Sequence, residues 1–197
     1  MRTTWQATAV GIALGVAGAG DASGSPVEPR PSIEILVLNQ ANVPASVIRE
    51  AQKKAGLIYA GAGIDVVWME PGSGGRAVSG QVRLVVSVTA IAPNEKPAVL
   101  GYASRSEHTG GSISFAFFSR VTEFARVHRA DLSQVLAYVI AHEIGHLLLS
   151  HDSHSRSGIM RAVWKRADIA PAKRDLMRFS DEQAESIREM LTVATAK

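Results

Sequence analysis

The sequence predicts an α/β fold with a twisted, mostly parallel sheet, one antiparallel edge strand, a long internal helix and a small C-terminal helical part. Short β-rich runs alternate with helical segments through the first half of the chain. A long apolar run without proline follows, and a helix start signal opens the last part. With 197 residues, 46% of them apolar and 20% charged, the chain is suited to one domain with a single core.

The first elements alternate strand, helix and strand. Ile33 to Asn39 is a β-rich run, and Pro44 to Ala60 has a proline at its start and apolar residues at helical spacing. Gly61 and Gly63 end that helix, and Ile64 to Trp68 predicts the second strand. This order implies parallel pairing through a right-handed crossover.

The next part of the chain predicts three strands and a helix. Val82 to Val88 indicates a strand buried on both faces, after a glycine-rich loop. Leu100 to Ser104 is typical of a short edge strand. Ser112 to Phe118 predicts the last strand, and a helix is expected from about Ser119 to His128.

The long apolar helix contains the most informative motif, the run His142-Glu143-Ile144-Gly145-His146. Asp131 is the expected N-cap, with Gln134 three residues later as in a capping box. Histidines at i and i+4 share one helix face, where two neutral imidazoles can bind one tetrahedral cation and Glu143 can hold a water beside it. Core histidines bonded to carbonyls are the structural alternative, but buried polar groups in an apolar helix need a reason. The motif favours a zinc-dependent hydrolase.

A catalytic zinc site needs a third protein ligand and an open fourth position. Three residues just after the helix compete for the third place: His151, Asp152 and His154. A glutamate on a later helix is a different solution, and the candidates are Glu182 and Glu185. A catalytically silent protein that zinc only stabilises also stays open.

The stretch from Ala141 to Met160 resembles the metzincins, a family of zinc metallopeptidases. In that family the motif helix ends at a glycine, the third ligand follows within a few residues, and a methionine-containing turn forms the floor of the site. Ser157-Gly158-Ile159-Met160 is similar to that turn. The glycine expected seven residues after His142 is Leu149 here, and the usual third-ligand position, ten residues after His142, is Asp152.

The same stretch is similar to uncharacterised exported bacterial proteins with HEIGHLLLG, a short linker, then HS and GIM. In that pattern the histidine of the HS pair is the natural ligand, the helix runs one residue longer and the return loop is longer. On this resemblance, His154 is the first candidate for the third zinc ligand, Asp152 the second and His151 the third. The runner-up is then a candidate for orienting a ligand imidazole through its other nitrogen.

The metzincin resemblance covers nearly the whole chain after residue 31, because the predicted order of elements matches the family's N-terminal subdomain. It implies zinc as the cofactor, a peptide or protein substrate, and Glu143 as the general base of peptide hydrolysis. It also implies that substrate lies extended along the predicted edge strand. The oxyanion-stabilising tyrosine of some members, two residues beyond the methionine turn, is replaced by Ala162, and Arg161 is a weak substitute.

Charge and cysteine content exclude other classes of function. The net charge of +3 is scattered, without a basic run, so no nucleic-acid partner is expected. The chain has no cysteine, which excludes thiolate zinc sites, cysteine nucleophiles and disulfides. Nothing in the pattern indicates an oligomeric state.

The amino terminus indicates export, to the periplasm or beyond. No charged residue lies between Arg2 and Asp21, and Ala17-Gly18-Ala19 is similar to a signal-peptidase site. The apolar segment is too short and too rich in glycine for a membrane span, so no stable span is expected in the mature form. We therefore expect a signal peptide at residues 1–19, a flexible leader at 20–31 and a single catalytic domain at 32–197.

Overall fold

The structure is a computed structural model that describes residues 30–72, 82–90, 99–105, 112–149, 153–169 and 175–196. The expected signal peptide and nearly all of the leader lie outside the described residues, and so do His151 and Asp152. Within the described ranges, no helix combines the length and the apolar character needed to cross a bilayer.

Five strands and five helices follow one another in the described part of the chain. In chain order they are β1 (Ser32–Asn39), α1 (Ala45–Gly61), β2 (Asp65–Met69), β3 (Val82–Thr89), β4 (Gly101–Arg105), β5 (Ser112–Phe117), α2 (Phe118–His128), α3 (Leu132–Leu148), α4 (Arg166–Ile169) and α5 (Asp181–Thr195). Every predicted strand is present within one residue of its expected bounds. The short helix α4 was not expected.

The strands form one sheet in the order β2-β1-β3-β5-β4. Strands β1, β2, β3 and β5 pair in parallel, and β4 pairs antiparallel with β5. This arrangement confirms the mixed α/β class and the antiparallel edge strand. Among the described residues, β4 is an edge strand whose only partner strand is β5.

Helix α3 lies inside the molecule, in contact with α1, α2, β4 and β5. Apolar side chains lie on every face of this helix and almost all of its residues are buried, as expected for an internal helix. Burying each large aliphatic side chain contributes roughly 1.5–3 kcal/mol. The hydroxyl of Tyr59 on α1 also donates to the carbonyl of Ala141, at 3.0 Å. The turn that bears the motif is therefore held rigidly.

The start of α3 is capped as predicted, but without the reciprocal half of a capping box. The Asp131 carboxylate accepts from the backbone N–H of Gln134 at 2.8 Å, a cap worth about 1 kcal/mol. The side chain of Gln134 does not return to Asp131 and instead lies 2.8 Å from the hydroxyl of Tyr138. Tyr138 is fully buried, and a buried hydroxyl needs a partner.

The expected one-residue extension of α3 is wrong. The helix ends at Leu148, and Leu149 is the C-cap with extended backbone at φ −91° and ψ 161°. A leucine adopts this conformation without strain, so no glycine is needed. Arg105 of β4 donates through Nη2 to the carbonyls of Leu147 and Leu149, which satisfies acceptors that a helix end leaves unpaired.

Helix α5 begins with a capping box. The Ser180 hydroxyl accepts from the Gln183 N–H at 3.2 Å, and the Gln183 side chain accepts from the Ser180 N–H at 3.1 Å. Ile187 and Leu191 are fully buried and Met190 is partly buried. The apolar stripe of this helix therefore faces the core.

Candidate metal centre and cleft

Three histidines meet on one side of α3. The Nε2 atoms of His142 and His146 are 3.0 Å apart. The centroid of the His154 ring lies 5.4 Å from the ring centroid of His142 and 4.7 Å from that of His146. One nitrogen from each ring lies within 4.8 Å of the others. Within the described ranges, this is the only group of three or more histidine, aspartate or glutamate side chains close enough to bind one metal ion.

Of the residues proposed as the third zinc ligand, the structure places His154 beside the motif histidines. His154 joins the two histidines of the motif, while His151 and Asp152 lie outside the described residues. Glu182 and Glu185 on α5 are exposed and are not part of the cluster. The side chain of Glu182 bonds to Ser180 at the start of its own helix, which lowers the pKa of this carboxyl group.

The tautomer of His142 is set by the chain that passes beneath it. Its Nδ1 lies 2.8 Å from the carbonyl oxygen of Ile159, and a carbonyl can only accept a hydrogen bond. Nδ1 therefore carries the proton, and the lone pair of the neutral ring lies on Nε2, which faces His146. Burial lowers the pKa of His142 to about 4, so the ring is neutral near pH 7.

His146 is oriented by a residue that the sequence did not single out. Its Nδ1 lies 2.8 Å from the hydroxyl of Ser153, and the carbonyl of Ser153 accepts from the side-chain amide of Gln183 at 3.0 Å. Burial lowers the pKa of His146, and the nearby His154 lowers it further. Both imidazoles of the motif thus have a hydrogen-bond partner on Nδ1 and face the cluster with Nε2.

Met160 lies beneath the motif and is completely buried. A Cβ placed on Gly145 would be 2.5 Å from the sulfur of Met160, so the absence of a side chain there allows the methionine to approach the helix. Gly158 has φ +78°, which favours glycine. This turn also places the Ile159 carbonyl against His142.

Glu143 lies between the two motif histidines in sequence and is 7% exposed. Its side chain packs against the backbone of β4 at Gly101. Burial raises the pKa of Glu143 to about 8. The carboxyl group is therefore desolvated, and it lines the same cleft as the three histidines.

The cluster opens into a cleft of about 870 Å³. One wall is the segment Val99 to Arg105, which includes β4, and the other includes residues 161–164. Phe124, Val139 and Trp164 line its apolar part. Trp164 is 8% exposed and donates to the Ile159 carbonyl at 3.2 Å, so it packs in the cleft wall.

Arg161 borders the same cleft and forms an ion pair with Asp168 at 3.1 Å. Each of the two side chains is only about one-fifth exposed. The next residue in the chain, Ala162, also lines the cleft and offers no hydroxyl. Arg161 is therefore a largely buried residue of the cleft wall whose charge is paired with Asp168.

Comparisons with known proteins add little to this geometry. No protein-family model matches the sequence, and no curated protein matches it significantly. Among solved structures, the chain is similar to a crystal structure of a zinc-dependent peptidase from Methanocorpusculum labreanum (strain Z). The TM-score is 0.43 at 15% sequence identity, over 80% of this chain and 99% of that chain. A likeness of this size establishes neither fold nor activity.

Proposed function

We propose that this protein is a zinc-dependent metallopeptidase of the metzincin type. His142, His146 and His154 would hold the zinc ion, and Glu143 would serve as the general base. The observation that supports this proposal is the convergence, in one cleft, of three imidazole nitrogens within 4.8 Å and a buried carboxyl group from the same helix turn. The catalytic domain would span residues 32–197 of an exported protein.

The donor set fits zinc. Three neutral imidazoles are a common protein ligand set for catalytic Zn²⁺. Two donors about 2.0–2.1 Å from a tetrahedral ion lie roughly 3.3 Å apart, and the Nε2 atoms of His142 and His146 are 3.0 Å apart. His142 does not have to lose a proton to bind a cation through Nε2, because its Nδ1 already holds the proton against the Ile159 carbonyl.

Zinc in such a site supplies Lewis acidity, which lowers the pKa of a coordinated water toward neutrality and polarises a substrate carbonyl. The function of Glu143 is to take the proton of the attacking water on its carboxylate and to deliver it to the leaving amine. A carboxyl group with a pKa of about 8 is mostly protonated near pH 7 and in that form cannot accept a proton. A cation held by the adjacent histidines would lower this pKa, because an opposite charge favours the carboxylate.

The edge strand β4 supplies the substrate-binding wall. Its backbone lines the cleft alongside Glu143, and its outer edge can pair with an extended peptide. The apolar part of the cleft, formed by Phe124, Val139 and Trp164, would accept an apolar side chain. The proposed substrate is therefore an extended peptide segment.

The test is a metal analysis of the purified protein followed by cleavage of a broad peptide library, with products identified by mass spectrometry. We expect about one zinc ion per chain and cleavage of peptide bonds. A chelator should abolish this cleavage, and added zinc should restore it. A protein that binds zinc fully and cleaves no peptide would instead be a silent, zinc-stabilised binding protein. A protein that binds no zinc would contradict the proposal altogether.

A further inference from the structure

The side-chain amide of Gln183 has two functions. Its Oε1 accepts from the backbone N–H of Ser180 at 3.1 Å and so completes the cap of α5. Its Nε2 donates to the carbonyl of Ser153 at 3.0 Å, a residue 30 positions earlier in the chain. A capping box needs only the acceptor, and glutamate serves there as well as glutamine. The donor is therefore available for a different purpose.

Ser153 connects this amide to the histidine cluster. Its carbonyl is held by Gln183, and its hydroxyl lies 2.8 Å from Nδ1 of His146. The next residue in the chain is His154, whose ring lies 4.7 Å from that of His146. Fixing the peptide at position 153 therefore fixes two of the three imidazoles, one through a hydrogen bond and the other through the chain.

We infer that Gln183 and Ser153 are positioning residues for the metal centre, so that the start of α5 sets the zinc affinity of a site to which it contributes no ligand. This inference rests on the proposed zinc site. When His146 binds a cation through Nε2, its Nδ1 carries the proton, and the Ser153 hydroxyl 2.8 Å away can accept a hydrogen bond from it. Partners of this kind typically change metal affinity by 10 to 100-fold when removed.

Two substitutions at the start of α5 separate the positioning function from the stability of the helix. Gln183→Glu keeps an acceptor for Ser180 but replaces the donor to Ser153 with a carboxylate oxygen. Ser180→Ala removes the cap and leaves the Gln183 amide in place. An added negative charge near a cation site would by itself strengthen metal binding, so weaker binding by Gln183→Glu cannot be a simple charge effect.

The measurement is zinc affinity by competition with a chromogenic chelator, paired with the melting temperature of each zinc-free protein. Gln183→Glu should weaken zinc binding roughly 10 to 100-fold and leave the zinc-free melting temperature unchanged. Ser180→Ala should lower that temperature by roughly 2–4 °C and leave zinc affinity unchanged.

Ser153 gives an independent test with a conservative rescue. Ser153→Ala should weaken zinc binding to the same degree as Gln183→Glu, whereas Ser153→Thr keeps the hydroxyl and should bind zinc like the wild type. Wild-type zinc affinity in Gln183→Glu or Ser153→Ala would overturn the inference, as would equal losses of affinity in Gln183→Glu and Ser180→Ala. If the wild-type protein binds no zinc, the proposed function fails first, so the two failures are distinguishable.

Discussion

The backbone of Gly101 lies so close to Glu143 that no side chain fits between them. A Cβ at position 101 would lie 2.6 Å from both Cγ and Oε1 of Glu143, and 2.7 Å from the carbonyl oxygen of Phe115. The proposed general base and the proposed substrate-binding strand are therefore in direct contact. The position of the carboxylate depends on the position of β4.

Gly101→Ala should reduce peptidase activity while zinc stays bound. The new methyl group must displace either Glu143 or the strand, and a shift of about 1 Å in a reacting group can cost 100-fold in rate. The measurement is kcat and zinc content of the purified variant. Gly61→Ala is the matched control, because a Cβ there meets nothing within 4 Å. Normal kcat in Gly101→Ala would show that the close contact has no effect on the base.

Arg105→Ala should destabilise the protein through the end of α3. The guanidinium donates to the carbonyls of Leu147 and Leu149, and each buried acceptor left unpaired costs about 1–3 kcal/mol. Urea unfolding of the zinc-free protein measures the change. Arg126→Ala, which removes an exposed ion pair with Glu123, should leave the midpoint unchanged. Equal effects of the two substitutions would contradict the proposed cap.

The pH dependence of stability should identify the buried carboxyl group. Burial raises the pKa of Glu143 from 4.5 to about 8, so between these values the folded protein binds more protons than the unfolded chain. The contribution of Glu143 to the free energy of unfolding of the zinc-free protein should then fall as pH rises, by roughly 1.5 kcal/mol between pH 6.5 and 8.

The buried histidines act in the opposite direction, and their contribution to the slope is largely gone only about one pH unit above their unfolded pKa of 6.5. Burial lowers the pKa of His142 from 6.5 to about 4, so in that range the unfolded chain binds the extra proton and stability rises with pH. Glu143→Gln cannot ionise, so the stability of this variant should no longer fall as pH rises from 6.5 to 8. An unchanged slope in this variant would assign the titration to another group.

The third ligand is tested by two neighbouring substitutions. His154→Ala should abolish tight zinc binding, because loss of one of three ligands leaves the ion without a stable site. Asp152→Ala should only weaken binding, as expected for a residue that does not touch the metal. Equilibrium dialysis measures both. If Asp152→Ala strips the zinc and His154→Ala does not, the shorter metzincin spacing with an aspartate ligand is correct.

Local patterns were sufficient to predict the elements of the fold and the motif helix. The strands follow from β-rich runs bounded by glycine and proline, and the i, i+4 spacing places His142 and His146 on one face of α3. The end of α3 was predicted one residue too late, because Arg105 reaches it from a strand about 40 residues earlier in the chain. Sequence spacing does not reveal such a cap.

The hydrogen bonds that surround the site correspond to no recognisable pattern in the sequence. Ser153 and Gln183 are ordinary polar residues in the sequence, and only the packing of α5 brings the amide to the serine carbonyl. Gln134 had the right spacing for a capping box, but the buried hydroxyl of Tyr138 competes for its amide. Side-chain hydrogen bonds of this kind are decided by tertiary structure.

The most direct test of the proposed function is the zinc content and kcat of Glu143→Gln. This variant keeps the shape of the side chain and loses its basic oxygen. A general base that is not a ligand should be dispensable for zinc but not for hydrolysis, so we predict one zinc ion per chain and a loss of kcat of roughly 100-fold or more. Near wild-type peptidase activity in zinc-loaded Glu143→Gln would contradict the assignment of Glu143 as the base.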